Sequence, residues 1–222
     1  MKIKNLILLA SLLACPIVSA QTVTYSNLGP GDSFSTTNGW SIGYPFSELE
    51  GGQKVAFSFE ALTTGSIHSA DLALSRLSIG GSNDVTVGIF SDSGGAPGAL
   101  IDSSSLIVSD TPEIATFSFT SGSVITSGVT YWIGVHPSSA TPTDVVWWWN
   151  YLEGGQTSDR SGINTPSEVL LGGLWGGVSS GIIESAYSIN VSPVPEPSTY
   201  AALVSLFILG LCIISKRRNP LK

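Results

Sequence analysis

Residues 54–60 read Lys54-Val55-Ala56-Phe57-Ser58-Phe59-Glu60, and this run decides the fold class. Val55, Phe57 and Phe59 alternate with Ala56 and Ser58. Successive side chains of a strand point to opposite faces, so a period of two predicts a strand with one apolar face. The same period returns along the chain. Residues 84–90 set Val85, Val87 and Ile89 inward, and residues 116–120 set Phe117 and Phe119 around Ser118. Residues 129–136 align Val129, Tyr131, Ile133 and Val135, and Tyr187, Ile189 and Val191 give a last strand. Residues 70–79 fit a bulged strand or a short helix. The change of phase after Leu74 favours the bulged strand.

Between these runs lie turn clusters: Gly80-Gly81-Ser82-Asn83-Asp84, residues 91–98, Ser121-Gly122-Ser123 and residues 137–142. Residues 154–181, with Gly172-Gly173 and Gly176-Gly177, read as a long loop region holding one short strand at 168–171. Short strands without helical interludes predict an all-β, antiparallel β-sandwich of the jelly-roll or lectin-like kind.

The two ends do not share this pattern. Lys2 and Lys4 precede a short apolar run, residues 6–14, and Val18-Ser19-Ala20 is a small-residue cleavage site. This is the pattern of a cleaved signal peptide, residues 1–20, with the cut between Ala20 and Gln21. A lipoprotein reading would take Leu12-Leu13-Ala14-Cys15 as the cleavage box, which Leu13 and Pro16 fit poorly. At the other end, residues 193–222 hold Val194-Pro195-Glu196-Pro197 and an apolar stretch over 199–215. Lys216, Arg217 and Arg218 follow at once. That length just crosses the hydrocarbon layer, and the basic cluster predicts a cytoplasmic C-terminus. The exported domain is then residues 21–192.

This tail resembles the PEP-CTERM sorting signal of Gram-negative bacteria, with Pro195, Glu196 and Pro197 as the motif, a single transmembrane helix and a terminal basic cluster. The resemblance implies an exosortase substrate carried to the membrane by the Sec machinery and processed for the cell surface. It also implies an association with extracellular polysaccharide. A second resemblance lies in the middle of the chain. Residues 85–100, VTVGIFSDSGGAPGAL, and residues 129–135, VTYWIGV, are similar to recurrent strands of the choice-of-anchor R surface domain. That group carries no catalytic or binding residues to transfer.

Charge narrows the partners. Residues 21–193 hold three basic residues, Lys54, Arg76 and Arg160, against fifteen acidic ones, a balance of -12. Nucleic acid selects for clustered Lys and Arg, so it is excluded as a partner. Both cysteines, Cys15 and Cys212, lie in the end segments, which leaves the domain without disulfide or thiol chemistry.

The most conspicuous feature is Trp147-Trp148-Trp149-Asn150-Tyr151. On a strand Trp147, Trp149 and Tyr151 share one face. Exposed aromatics stack on sugar rings, and Asn150, Glu153 or Gln156 would bond hydroxyls. Trp147, Trp149, Tyr151 and Asn150 are therefore a candidate glycan platform, with Trp40 and Trp175 as candidate additions. The competing expectation is that the triplet packs in the core, as large aromatics usually do. Asp84, Asp92 and Asp102 are candidate ligands of a structural Ca²⁺, although Asp in Gly-rich loops more often caps turns. His68 and His136 belong to no triad or metal spacing, and no G-x-S-x-G elbow occurs. Glu48 with Glu50, or Glu153 with Asp159, are nominal carboxylate pairs for glycoside hydrolysis, without a supporting motif. The expectation is a non-enzymatic surface or matrix protein without a cofactor, structural or adhesive, that binds neutral polysaccharide. The alternatives are a structural protein without a ligand, and a polysaccharide-active hydrolase or lyase.

Overall fold

A computed structural model describes residues 20–43, 54–77, 81–138, 143–150, 157–158, 161–164, 178–179, 182–194, 205 and 208–210. Its strands in chain order are β1 (Thr22–Ser26), β2 (Phe34–Ile42), β3 (Lys54–Glu60), β4 (Gly65–Arg76) and β5 (Asp84–Asp92). There follow β6 (Pro97–Ile107), β7 (Glu113–Ser118), β8 (Val124–Ile125), β9 (Thr130–Pro137) and β10 (Val145–Asn150). The last are β11 (Thr157–Ser158), β12 (Ser161–Asn164), β13 (Val178–Ser179), β14 (Ile182–Ile183) and β15 (Tyr187–Pro193).

Two antiparallel sheets carry the fold. One has six strands in the order β13-β12-β3-β9-β5-β6. The other has seven, in the order β1-β15-β4-β10-β2, with β7 and β8 also on β4. The twelve-residue β4 organises that sheet: β15 and then β10 pair along one edge, and β8 and then β7 along the other. β11 and β14 form a separate two-stranded ribbon. The all-β, sandwich-like fold read from the period of two is thus present.

The core lies between the sheets because the alternation places every second side chain there. In the six-stranded sheet Val55, Val135 and Val87 stand in register, as do Phe57, Ile133 and Ile89. All six are fully buried. The seven-stranded sheet answers with Ala70, Leu72, Leu74, Phe117, Tyr187 and Ile189. Rings meet across the gap: Phe57 lies edge-on to Trp147 with centroids 5.2 Å apart, and Phe59 edge-on to Tyr187 at 6.5 Å. Burying each such aromatic contributes on the order of 1.5–3 kcal/mol. The outer face of β4 is polar by contrast. There Asp71 accepts hydrogen bonds from Thr116, Ser188 and Asn190.

Three sequence expectations change. The bulge in β4 is not after Leu74, since residues 69–76 pair regularly with β7 and β10. The register slips at His68 instead, which turns outward, exposed, while Ile67 and Ala70 on either side stay buried. Leu77 already lies outside the strand, 36% exposed, and residues 78–80 are outside the described residues. Val129 does not join the inward row, because β9 starts at Thr130 and Val129 sits in a turn, its N–H on Thr126 O at 3.2 Å. Residues 154–181 are more than a loop: β12 pairs with β3 at residues 54–57 and extends the sheet. The strand expected at 168–171 falls outside the described residues, as do residues 1–19 of the signal segment. Of the C-terminal apolar stretch, residues 205 and 208–210 are described, as helix. Among the described residues no helix is long and apolar enough to cross a membrane.

The SDSGGAPG run is a hairpin between β5 and β6. Gly94 and Gly95 take φ of +66° and +87°, a conformation that side chains disfavour. Asp92 fixes both turn and sheet, accepting Gly95 N–H at 3.2 Å and the buried Trp132 indole N–H at 2.8 Å. Asp92→Ala leaves that indole without its carboxylate, so a loss of about 1–3 kcal/mol is expected in urea unfolding. Asp92→Asn, which keeps an acceptor, is expected to lose less.

Candidate functional site

Trp40, Trp147, Trp148 and Trp149 converge at one corner of the seven-stranded sheet beside the segment at residues 183–187, while Trp132 lies on β9 of the other sheet. β10 pairs β2 so that Trp147 faces Trp40, and pairs β4 so that Trp147 faces Leu74. Both neighbours face the core, and so Trp147 does too. Beyond Trp148 the pairing with β2 is irregular, and β10 passes to the 183–187 segment. Ala186 donates its N–H to Trp148 O at 2.8 Å, Asn150 donates to Glu184 O at 3.0 Å, and Trp149 bridges Ser185.

Each indole has a distinct fate. Trp147 is fully buried, its Nε1–H on Ala186 O at 3.1 Å and its ring against Phe57 and Tyr187. Trp148 points to the outer face and donates to Ser75 Oγ at 3.0 Å. Trp149 is half-buried against Trp40, centroids 6.1 Å apart, with its Nε1 buried and making no hydrogen bond. Trp40, half-buried, donates to Ile183 O at 2.9 Å. Asn150 is buried. The expected platform is corrected accordingly: Trp147 and Asn150 belong to the interior, because the strand face that carries Trp147 is the core face. Trp149 keeps a partial surface and is joined by Trp40. Tyr151 and Trp175 lie outside the described residues.

Beneath this corner is a polar network that the sequence reading did not single out. The Glu184 carboxylate, buried, accepts Tyr25 OH at 3.1 Å and Asn27 Nδ2 at 2.8 Å. Asn27 also donates to Ser185 O at 2.8 Å and accepts Tyr187 N–H at 2.8 Å. Tyr25 and Tyr187 stack with centroids 5.1 Å apart. The Tyr187 hydroxyl is buried without a hydrogen bond in normal geometry, although the Tyr25 hydroxyl lies near it. A signal for part of this network was present: Glu184 is an acid inside the run Ile182-Ile183-Glu184-Ser185-Ala186-Tyr187. Its partners, 157 and 159 residues away, carried none.

Burial, and then the Glu184 charge, push both the Tyr25 and the Tyr187 phenols well above their ordinary value. Raised folded values stabilise the fold below the unfolded value of about 10 and withdraw that stability as pH rises past it. Melting temperature is therefore expected to fall above about pH 10, and to fall less steeply in Tyr25→Phe. His136 is half-buried, with Nδ1 2.9 Å from Pro137 O, and its pKa is lowered by burial more than by the Lys54 charge. A lowered value favours the neutral ring, so stability declines as pH falls below about 6.5.

The other candidates do not assemble. Asp92 serves the hairpin, and Asp102 accepts Ser103 N–H and the Ser121 hydroxyl. The Asp84 N–H rests on Ser82 Oγ. Among the described residues no three His, Cys, Asp or Glu groups gather as metal ligands, so Asp84, Asp92 and Asp102 are not brought together. His68 on β4 and His136 on β9 lie in different sheets. Glu48, Glu50, Glu153, Gln156 and Asp159 are outside the described residues, as are Pro195, Glu196, Pro197, Lys216, Arg217 and Arg218. Ala20 and Gln21, at the expected cleavage point, are exposed immediately before β1. In comparisons with known proteins, no family model matches the chain. No curated protein matches it either.

Proposed function

We propose that this chain is an exported cell-surface or extracellular-matrix protein with a structural or adhesive role and no catalytic one. The reading is carried by the tail, in which Pro195-Glu196-Pro197, the apolar stretch 199–215 and Lys216-Arg217-Arg218 follow one another as a sorting signal requires. In this account Sec exports the chain across the inner membrane of a Gram-negative bacterium. The signal peptide is cut after Ala20, and an exosortase processes the tail. The domain between is a jelly-roll or lectin-like sandwich of the choice-of-anchor kind. Its contact with neutral polysaccharide runs through the half-buried Trp149 and Trp40, the tryptophans that, among the described residues, keep a partial surface on the core side.

The test is adsorption to neutral polysaccharide, read by tryptophan emission and melting temperature. The proposal expects a saturable change that weakens in Trp149→Ala at unchanged fold. A second reading, a structural domain with no ligand, is favoured by the burial of Trp147 and Asn150. An unresponsive emission across a broad panel of glycans would select it.

A further inference from the structure

We propose that the outer edge of β6 is a self-association surface, where a second copy of this chain adds its own β6 antiparallel about a two-fold axis at Ser105. β6 closes the six-stranded sheet and pairs with β5 alone among the described strands. Just past its end, Val108 directs both backbone groups to Asn83, at 2.9 and 2.6 Å. Alternation along the strand then turns the backbone groups of Ser103, Ser105 and Ile107 away from β5. Ser103 N–H agrees with this, being bound by the Asp102 side chain at 2.9 Å and not by β5. The other end of β6 is already tied down. Ser121 holds the Asp102 carboxylate, and Ser123 Oγ donates to Ile101 O at 3.2 Å. The open stretch is thus residues 103–107, in which the Ser103 N–H already has the Asp102 carboxylate as acceptor and must exchange it for Ile107 O of the second copy.

That stretch reads Ser-Ser-Ser-Leu-Ile. Edge strands are normally guarded by charge, Lys or Pro, and residues 103–107 contain none of them. Leu106 is 37% exposed and Ile107 71%. Antiparallel partners must both turn their backbone groups toward each other, which requires a register centred on a residue. Ser105 is the middle of the open stretch. In that register Ser103 faces Ile107 of the second copy, and Ser104 faces its Leu106. Every large apolar side chain meets a small one on the same face of the joined sheet, and no charge faces itself. This self-complementarity points to a second copy as the occupant. Because the copies share an acidic balance, salt that screens their repulsion strengthens the pairing. The inference deepens the proposed structural role by naming how domains would join.

The full chain in detergent, with Cys15→Ser and Cys212→Ser, receives Ser105→Cys and is exposed to a mild oxidant. Hydrogen-bonded antiparallel partners hold their Cα atoms about 5.5 Å apart, inside the disulfide range. The expected result is a covalent dimer in about tenfold excess over Ser118→Cys, which sits on the exposed edge strand β7 of the other sheet. The yield should rise with salt and fall when Leu106→Lys is added. Sedimentation of the chain with Ser105 intact, against Leu106→Lys, gives the same comparison without the new cysteine. Absence of the dimer, or equal yields at the two positions, overturns the pairing. Either result leaves export and anchoring standing, since those are read from processing at the chain ends.

Discussion

Trp147→Ala is expected to cost about 3–5 kcal/mol of unfolding free energy, the range for removing a large buried aromatic. Trp147 has no surface and packs on Phe57 and Tyr187, one from each sheet. Its loss opens a cavity where the two sheets meet and leaves Ala186 O without the indole donor 3.1 Å away. Trp149→Ala is expected to cost less, because Trp149 is half-buried and its Nε1 makes no hydrogen bond to lose. Urea titration followed by far-ultraviolet circular dichroism separates the two, since the backbone signal of the strands remains in both variants. Equal losses in the two variants would contradict the assignment of Trp147 alone to the core.

The second large effect is expected at Asn27→Leu, a change of similar size that removes every side-chain hydrogen bond. Asn27 binds Glu184, Ser185 O and Tyr187 N–H, and all three partners are buried. A buried group left without its partner costs about 1–3 kcal/mol, and more when it is charged. Glu184 keeps the Tyr25 hydroxyl, so with three bonds lost together a loss of about 3 kcal/mol is expected. The network ties β1 to the 183–187 segment. Asn27→Leu is therefore also expected to speed amide exchange along β1, at Val23 and Tyr25, before global unfolding. An exchange pattern unchanged in β1 would show that the network does not hold that strand.

What could be read from the sequence was the alternation. β3, β5, β7, β9 and β15 repeat apolar and small or polar residues with a period of two, and each appears close to where the pattern put it. β2 was not legible because Ser35, Thr36, Thr37, Asn38 and Gly39 interrupt any alternation, and the strand is held by Trp147 and its neighbours on β10. The alternation also correctly separated Trp147 from Trp148. It did not say which face was the core, because both faces of that run are aromatic. The pairing with Leu74 on β4 decides it. The Glu184 network was illegible for another reason. Its bonds join the first strand to the last part of the domain, and no local pattern encodes such a contact.

The most direct test of the account is the intact mass and location of the mature protein expressed in a Gram-negative host that carries an exosortase. The account predicts a surface-accessible chain that begins at Gln21 and lacks the residues beyond the Pro195-Glu196-Pro197 motif. A Pro195→Ala, Glu196→Ala variant is predicted to keep its tail. A chain found in the cytoplasm with the full mass of residues 1–222 would contradict it.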